Sequence, residues 1–468
     1  MSRTVCIETF GCQMNVHDSE RIAGLLEQAG YEIISDVEQA DLIVVNTCSV
    51  REKAEDKLFS RLGVLASIKQ SQPPLVAVVG CLAQQEGENI IKRAANVNVV
   101  AGTQAIRRLP LLVSEAENTK SPQIDINPHD DVSFPLGLAV RHDPVKAYIT
   151  IIEGCNDHCT FCVVPHTRGH ERMRPASEII AEARHAVDTG HTEIHLLGQI
   201  VNHYTAPDLS HCDFARLLEL LQDVRGIRRI RFASPHPRHV TDRMLIAIRD
   251  LPSLCKHLHL PVQSGSTSVL KAMRRKHSVE EYRVLVEEIR QTIPEIALST
   301  DMIVGFPTET DDDFRQTLNL IANVRYHSMF SFKYSERPNT LAKNRLKDII
   351  PESVKSERLL ELQSVQKQIQ ASINRLQIGQ TVEVLADSRS RRRENELSGR
   401  TSQNTVVNFS GNNHKIGQML NIAIQKAGPN SLYGRVAPPS GRTASPHPCT
   451  ADGSRGDLSR KERSSHAR

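Results

Sequence analysis

Hydrophobic residues follow two rhythms along the chain. Between residues 4 and 113, short β-branched runs (TVCIETF, DLIVVN and LVAVVG) are bounded by turn formers, as buried strands are. Between them apolar positions recur at helical spacing. DSERIAGLLEQAG is one such stretch, predicted as a helix opened by an Asp or Ser cap and closed at Gly30. Strand-helix alternation predicts a parallel, doubly wound sheet. From 115 to 140 the rhythm fades and Pro, Asp and Asn collect, so a linker is expected.

The alternation resumes at Ala147. AYITIIE, IHLLG, RIRFAS, LHLPV, LSTDMIVGF and FSFKYS read as six strands, separated by helical stretches such as RPASEIIAEARHAVDTG. Six β/α units predict an incomplete barrel, short of the eight that close one. A strongly helical stretch, PESVKSERLLELQSVQKQIQASINRL, follows. QTVEVLAD, ELSGRTSQNTVVNFSG, MLNIAIQKAG and SLYGRVA then read as short strands of a small β-barrel. Beyond Pro438 the chain is polar, rich in Pro and Ser and without apolar rhythm, and disorder is expected. The α/β organisation expected is thus a first domain over 2–118, a linker over 119–140, a barrel core over 141–373, a small barrel over 376–439 and a tail over 440–468.

Composition narrows the setting. The 468 residues suffice for several domains. A net charge of +4 neither requires nor excludes a polyanionic partner, and the lack of Trp leaves base stacking to scattered Phe, Tyr, His or Arg. The start, MSRTVCIETFGCQMNV, has no apolar h-region. No apolar run approaches the ~18 residues of a membrane span. The expectation is a reducing, cytoplasmic compartment with no membrane partner, in which clustered Cys are metal ligands rather than disulfides.

The ten Cys are unevenly spread. Cys155, Cys159 and Cys162 lie in EGCNDHCTFCVVPHTRG, directly after AYITIIE, hence at the strand C-terminal mouth where barrel enzymes do chemistry. Three thiols are odd for disulfides and one short of a structural zinc site or an ordinary iron–sulfur set. Two readings stand. One is a zinc knuckle completed by His158, His166, Cys212 or Cys255. The other is a four-iron cube with one iron left open to a substrate. Cys12, Cys48 and Cys81 are far apart in sequence, yet each follows a strand. In a parallel sheet those ends share one edge, so the placement predicts a shared site. The plainer alternative is three separate buried Cys. Cys6, Cys212, Cys255 and Cys449 show no partner pattern and read as structural.

Cys155-x3-Cys159-x2-Cys162, with Phe161 before the last Cys, resembles the radical S-adenosylmethionine (SAM) signature. GCQMNVHDSER, NTCSVREKAEDK, VVGCLAQQEG, TRGHERMRP, LHLPVQSGS, TDMIVGFPTET and the final barrel extend the likeness. Together, from about Arg3 to Pro438, they resemble the methylthiotransferases, most closely the MiaB-type branch that modifies tRNA. The resemblance implies that Cys155, Cys159 and Cys162 hold a [4Fe-4S] cluster whose open iron binds SAM. It implies that Cys12, Cys48 and Cys81 hold an auxiliary [4Fe-4S] cluster that supplies sulfur, and that the last barrel is an RNA-binding TRAM domain. The implied reaction is methylthiolation of C2 of N6-(dimethylallyl)adenosine at position 37 of tRNA, with SAM as both methyl donor and radical source. Relatives act on N6-threonylcarbamoyladenosine in tRNA or on an aspartate of a ribosomal protein. A more distant alternative is a non-catalytic Fe–S protein that binds RNA or carries electrons, which would not cleave SAM. A reductant such as a flavodoxin, the cluster-assembly machinery and a monomeric state are further expectations.

The chemistry asks for these parts. The C2–H of adenine is not acidic, so a general base is a poor option and radical chemistry falls to a cofactor. Both cluster-bearing edges must face one cleft. Phe161, Gln199, Gln263 and Gly305 are expected beside the cofactor, Gln199, Gln263 and Ser264 with turn capping as an equal alternative. Arg168, Arg172 and Arg174, and in a predicted hairpin loop Arg389, Arg391, Arg392 and Arg393, are expected to contact RNA. Three positions depart from the family pattern: Ile200 where Asn is usual, and Thr308 and Asn339 where Gly is common.

Overall fold

In the first sheet, successive side chains of each strand enter different cores. The sheet comprises β1 (Arg3–Phe10), β2 (Tyr31–Ile33), β3 (Leu42–Thr47), β4 (Leu75–Gly80), β5 (Val99–Ala101) and β6 (Gln123–Asp125). Val5, Val44, Ala77 and Val79 pack with Ile22, Leu26 and Leu112 on one side. Ile43, Val45, Val76 and Val78 pack with Leu58, Leu62 and Leu82 on the other. Strands buried on both faces read as continuous apolar runs, which is why β3 and β4 were legible. All pairings are parallel, in the order β2-β1-β3-β4-β5-β6. The order reverses between β1 and β3, so their C-terminal ends open a crevice at a topological switch point.

The computed structural model describes residues 3–49, 52–68, 73–128, 137–390 and 393–438. The expected tail at 440–468, Cys449, Arg391 and Arg392 lie outside the described residues. Two local readings are corrected. The first helix runs over Gln13–Gln28, and its N-cap is Cys12, with Asn15 completing a capping box, rather than Asp18 or Ser19. The stretch read as linker carries the end of a helix, Leu109–Thr119, and strand β6.

The second region holds β7 (Lys146–Thr150), β8 (Ile152–Glu153), β9 (Arg172–Met173), β10 (Glu193–Leu197), β11 (Arg229–Phe232), β12 (His257–His259), β13 (Ala297–Val304) and β14 (Ser328–Lys333). AYITIIE is split at Ile151, and β8 turns aside to pair antiparallel with β9. Strands β7, β10 and β11 pair in parallel, as do β12, β13 and β14, and a parallel bridge between Ile230 and Leu254 joins the two sets. This is the incomplete six-unit barrel. Its core packs Ile149, Ile194, Leu196, Leu258 and Leu298 against the surrounding helices.

Strands β15 (Thr381–Arg389), β16 (Glu396–Thr401), β17 (Val406–Ser410), β18 (Met419–Ala427) and β19 (Leu432–Val436) close a small barrel around Val384, Leu397, Val407, Phe409 and Ile422. It docks where the larger barrel's strands begin. Lys146 Nζ lies 2.8 Å from Asp387, Arg231 donates to the Thr401 carbonyl at 2.8 Å, and Arg229 donates to that of Arg400. Among the described residues no helix is long and apolar enough to cross a membrane.

Candidate active site

Each cysteine of the first set stands at the C-terminal end of a strand. Cys12 follows β1 and caps the helix Gln13–Gln28, Cys48 follows β3, and Cys81 follows β4 and opens the helix Cys81–Glu86. Two buried asparagines lock these ends together. Asn15 Nδ2 donates to Asn46 Oδ1 at 3.1 Å, and Asn46 Nδ2 donates to the Asn15 carbonyl at 2.8 Å and to Ser19 Oγ at 2.9 Å. Asn15 Oδ1 accepts from the Cys12 backbone N–H at 3.3 Å and from its thiol at 3.4 Å. A hydrogen bond with Cys48 pulls the Cys12 thiol down to about 5, and the nearby Arg168 charge acts in the same direction. Burial pushes the Cys81 thiol up, against the pull of Arg168.

The second set lies on the loop that leaves β8. The Cys155 N–H donates to the Gly169 carbonyl at 3.1 Å, closing the loop on itself. Thr160 ties it to the barrel, with its N–H donating to the Met273 carbonyl at 3.1 Å and its hydroxyl to that of Ala272 at 3.0 Å. Lys276 Nζ holds Asp157 at 2.7 Å. Two donors reach the sulfurs: the Asp157 N–H to Cys155 Sγ at 3.4 Å, and Arg275 Nη1 to Cys159 Sγ at 3.7 Å. Burial, with the neighbouring thiols, pushes Cys155 up to about 11 and Cys162 up to about 12.

Each donor set is three thiols, the chemistry of a four-iron cube with one iron left open. Among the described residues no three His, Cys, Asp or Glu side chains stand close enough to share one metal ion. A zinc ion draws its ligands to one point at ~2.3 Å, whereas a cube spreads three thiolates over its corners. The carboxylates of Asp18 and Asp157 are engaged by Arg168 and Lys276.

The remaining expected residues divide. Phe161 is half-buried and packs on Val269, Met273, Phe306, Tyr334 and Ala342, forming an apolar floor under the cysteine loop. Gln199 Nε2 donates to Met14 Sδ at 2.9 Å, linking the barrel mouth to the first helix. Gln263 adopts a φ of +79° and pairs with Met302. Ser264 Oγ accepts from the Ser266 N–H at 3.2 Å, which is the turn-capping alternative. At Gly305 the space a Cβ would take is filled by Lys355 Cγ at 2.4 Å, so the close approach there is to the protein's own helix. Asn339 has a φ of +64°, which explains why Gly or Asn suits that turn. Ile200 is buried.

Two expected RNA contacts are corrected, those of Arg168 and Arg174. Arg168 is buried and donates to Asp18 at 2.7 Å. Arg174 is buried and donates to Glu182 at 2.7 Å and to the Thr150 carbonyl at 3.0 Å. Arg172 lies on β9, 4.0 Å from Glu153. Arg168 and Arg174 are enclosed, where a guanidinium must find an internal partner. Arg389 and Arg393 lie at the β15–β16 hairpin, Arg389 donating to Asn413 at 2.9 Å and Arg393 to Glu396 at 2.8 Å. Asn15, Asn46, Asp18 and Arg275 were missed. The first two stand within three positions of a candidate Cys, a signal that could have found them. Arg275 lies 116 residues from Cys159, and only the fold brings it there.

A strand-end cysteine loop on an incomplete barrel, preceded by a parallel sheet and followed by a small barrel, defines a radical SAM protein. The radical SAM superfamily matches residues 149–321, the TRAM domain residues 375–437, and the uncharacterized protein family UPF0004 residues 4–102. A radical SAM methyltransferase from Kitasatospora setae shares the fold with a TM-score of 0.54 over 73% of this chain and 77% of that one, at 13% identity. The tRNA-2-methylthio-N(6)-dimethylallyladenosine synthase of Delftia acidovorans is 45% identical over 93% of this chain and 99% of its own length. That of Thermoanaerobacter pseudethanolicus is 42% identical over 92% of each. The chain belongs to the family of these synthases.

Proposed function

We propose that this protein methylthiolates C2 of N6-(dimethylallyl)adenosine at position 37 of tRNA. The observation that carries the reading is the pair of thiol triads, on two different sheets, tied together by one loop. Near-full-length likeness to the synthases supports it. Cys155, Cys159 and Cys162 hold the [4Fe-4S] cluster that binds SAM, and Cys12, Cys48 and Cys81 hold the auxiliary [4Fe-4S] cluster. When bound, these groups supply what no side chain can, a carbon radical for an unreactive C–H bond and a sulfur atom to place there.

The polypeptide's part is to bind, orient and exclude. The donors to Cys155 and Cys159 sulfur stabilise the thiolate forms that ligation requires. Cys155 and Cys162 keep their protons until metal arrives, so loading releases protons and strengthens as pH rises. Phe161, Phe306 and Tyr334 seal the underside of the loop from water. Gln199 and Gln263 stand at strand ends facing the mouth, as polar groups for SAM or the base. The TRAM barrel holds the tRNA through Arg389 and Arg393, a flavodoxin-type reductant delivers electrons, and the cell's cluster-assembly machinery loads the cytoplasmic protein.

The test is to incubate anaerobically reconstituted protein with SAM, a reductant and tRNA carrying N6-(dimethylallyl)adenosine, then analyse nucleosides by mass spectrometry. The expected product is the 2-methylthio nucleoside, with release of 5′-deoxyadenosine. An untouched tRNA, alongside modification of threonylcarbamoyladenosine or of a ribosomal protein, would overturn the reading.

A further inference from the structure

The loop that carries Cys155, Cys159 and Cys162 reaches across to the other triad. Its last turn, the helix Val164–Arg168, packs against the helix Cys81–Glu86, whose first residue is Cys81. Side chains of the first domain hold that turn in place. Thr103 Oγ1 donates to the Thr167 carbonyl at 2.5 Å, and Gln104 Nε2 to that of Arg168 at 3.2 Å. The Arg168 side chain is 6% exposed, and its Nη2 donates at 2.7 Å to Asp18, which is 5% exposed. Asp18 sits on the helix that Cys12 caps. The guanidinium also acts through its charge on the Cys81 and Cys12 thiols. One residue of the radical loop therefore sets its charge within reach of two of the three thiols of the opposite group.

We propose that Arg168 is a positioning residue of the auxiliary site, docking the radical loop onto it and raising its reduction potential, with Asp18 as the counter-charge that holds the guanidinium there. The proposal rests on the reading of Cys12, Cys48 and Cys81 as cluster ligands. Net charge and hydrogen bonds to the sulfurs are among the levers that set a cluster's potential. A buried cation stabilises the more negative, reduced state, and salt screens it weakly.

The test uses the full chain with Cys155, Cys159 and Cys162 all changed to Ala, so that the auxiliary site is read alone. After anaerobic reconstitution with ferrous iron and sulfide, its midpoint potential is measured by EPR-monitored redox titration. Arg168→Gln is expected to lower the midpoint and Asp18→Asn to raise it. Arg168→Lys keeps the charge and is expected to bring the midpoint back toward that of the parent. A merely loosened fold would move the Gln and Asn variants the same way. That outcome, unchanged midpoints, or a Lys variant that behaves like Gln would overturn the proposal. Failure of the underlying reading looks different: the triple-Ala parent itself would take up no iron.

Discussion

Gly80 links β4 to Cys81 at a φ of +94°, a conformation reserved for glycine. A Cβ there would stand 2.4 Å from Asn46 Oδ1 and 2.8 Å from the Thr47 carbonyl, at the strand end that leads into Cys48. Gly80→Ala should therefore strain the backbone by about 1–3 kcal/mol and displace Cys81 from its partners. A lower urea midpoint with less iron at the auxiliary site is expected, and a variant with wild-type midpoint and iron would contradict it. At this scale the placement of the six cysteines after strands was legible, because residue type and strand pattern are both written in the sequence. Arg168 was legible as a cation but misassigned. Asp18 lies 150 positions away, and nothing local says that the charge is spent inside.

The helix Gln13–Gln28 shows what sequence periodicity hides at the level of an element. Besides its apolar face it buries His17, Asp18, Glu20 and Arg21 between the first sheet and the barrel. His17 Nδ1 meets Thr150 Oγ1 at 2.8 Å, and Arg21 lies 3.3 Å from Glu153. A charged run usually marks a solvated face, and here a second domain covers it. Its start was misread for a related reason, since a Cys seldom caps a helix. Strand β6, with the sequence Gln-Ile-Asp, was too short and polar to stand out from a linker. Burial pushes Glu20 up to about 8 from an ordinary 4.5. The native state thus holds a proton that the unfolded chain gives up between those values, so stability falls as pH rises through that window. Glu20→Gln should remove this dependence, at most about 1.4 kcal/mol per pH unit. In urea unfolding, the variant should gain on wild type steadily from pH 5 to 8, whereas a constant difference would contradict the account.

Across the whole molecule, the cysteine loops and the TRAM barrel lie at opposite ends of the strands. The cysteine loops occupy the strand C-terminal mouth, and the TRAM barrel docks where the strands begin, beside Lys146, Arg229 and Arg231. The five residues of β7 alone separate the two by about 16 Å at ~3.3 Å per residue. The TRAM barrel should then grip a part of the tRNA remote from the reacting base. Neutralising Arg389, Arg391, Arg392 and Arg393 together should raise KM for tRNA and leave kcat unchanged. The salt dependence of binding should flatten by ~0.7 in log–log slope per lost phosphate contact. An unaltered slope would count against this role. The order of the three parts was legible from the strand rhythms. Their docking was not, because it depends on individual ion pairs and hydrogen bonds between residues far apart in sequence.

The proposed function requires two thiol triads, each holding its own cluster. The most direct measurement is iron and sulfide content, with Mössbauer spectra, after anaerobic reconstitution of three proteins: wild type, the Cys12, Cys48 and Cys81 to Ala variant, and the Cys155, Cys159 and Cys162 to Ala variant. Each variant is predicted to retain half the wild-type iron, with the spectrum of a single cubane. A variant that keeps all of the iron, or one that loses all of it while remaining folded, would contradict the central claim.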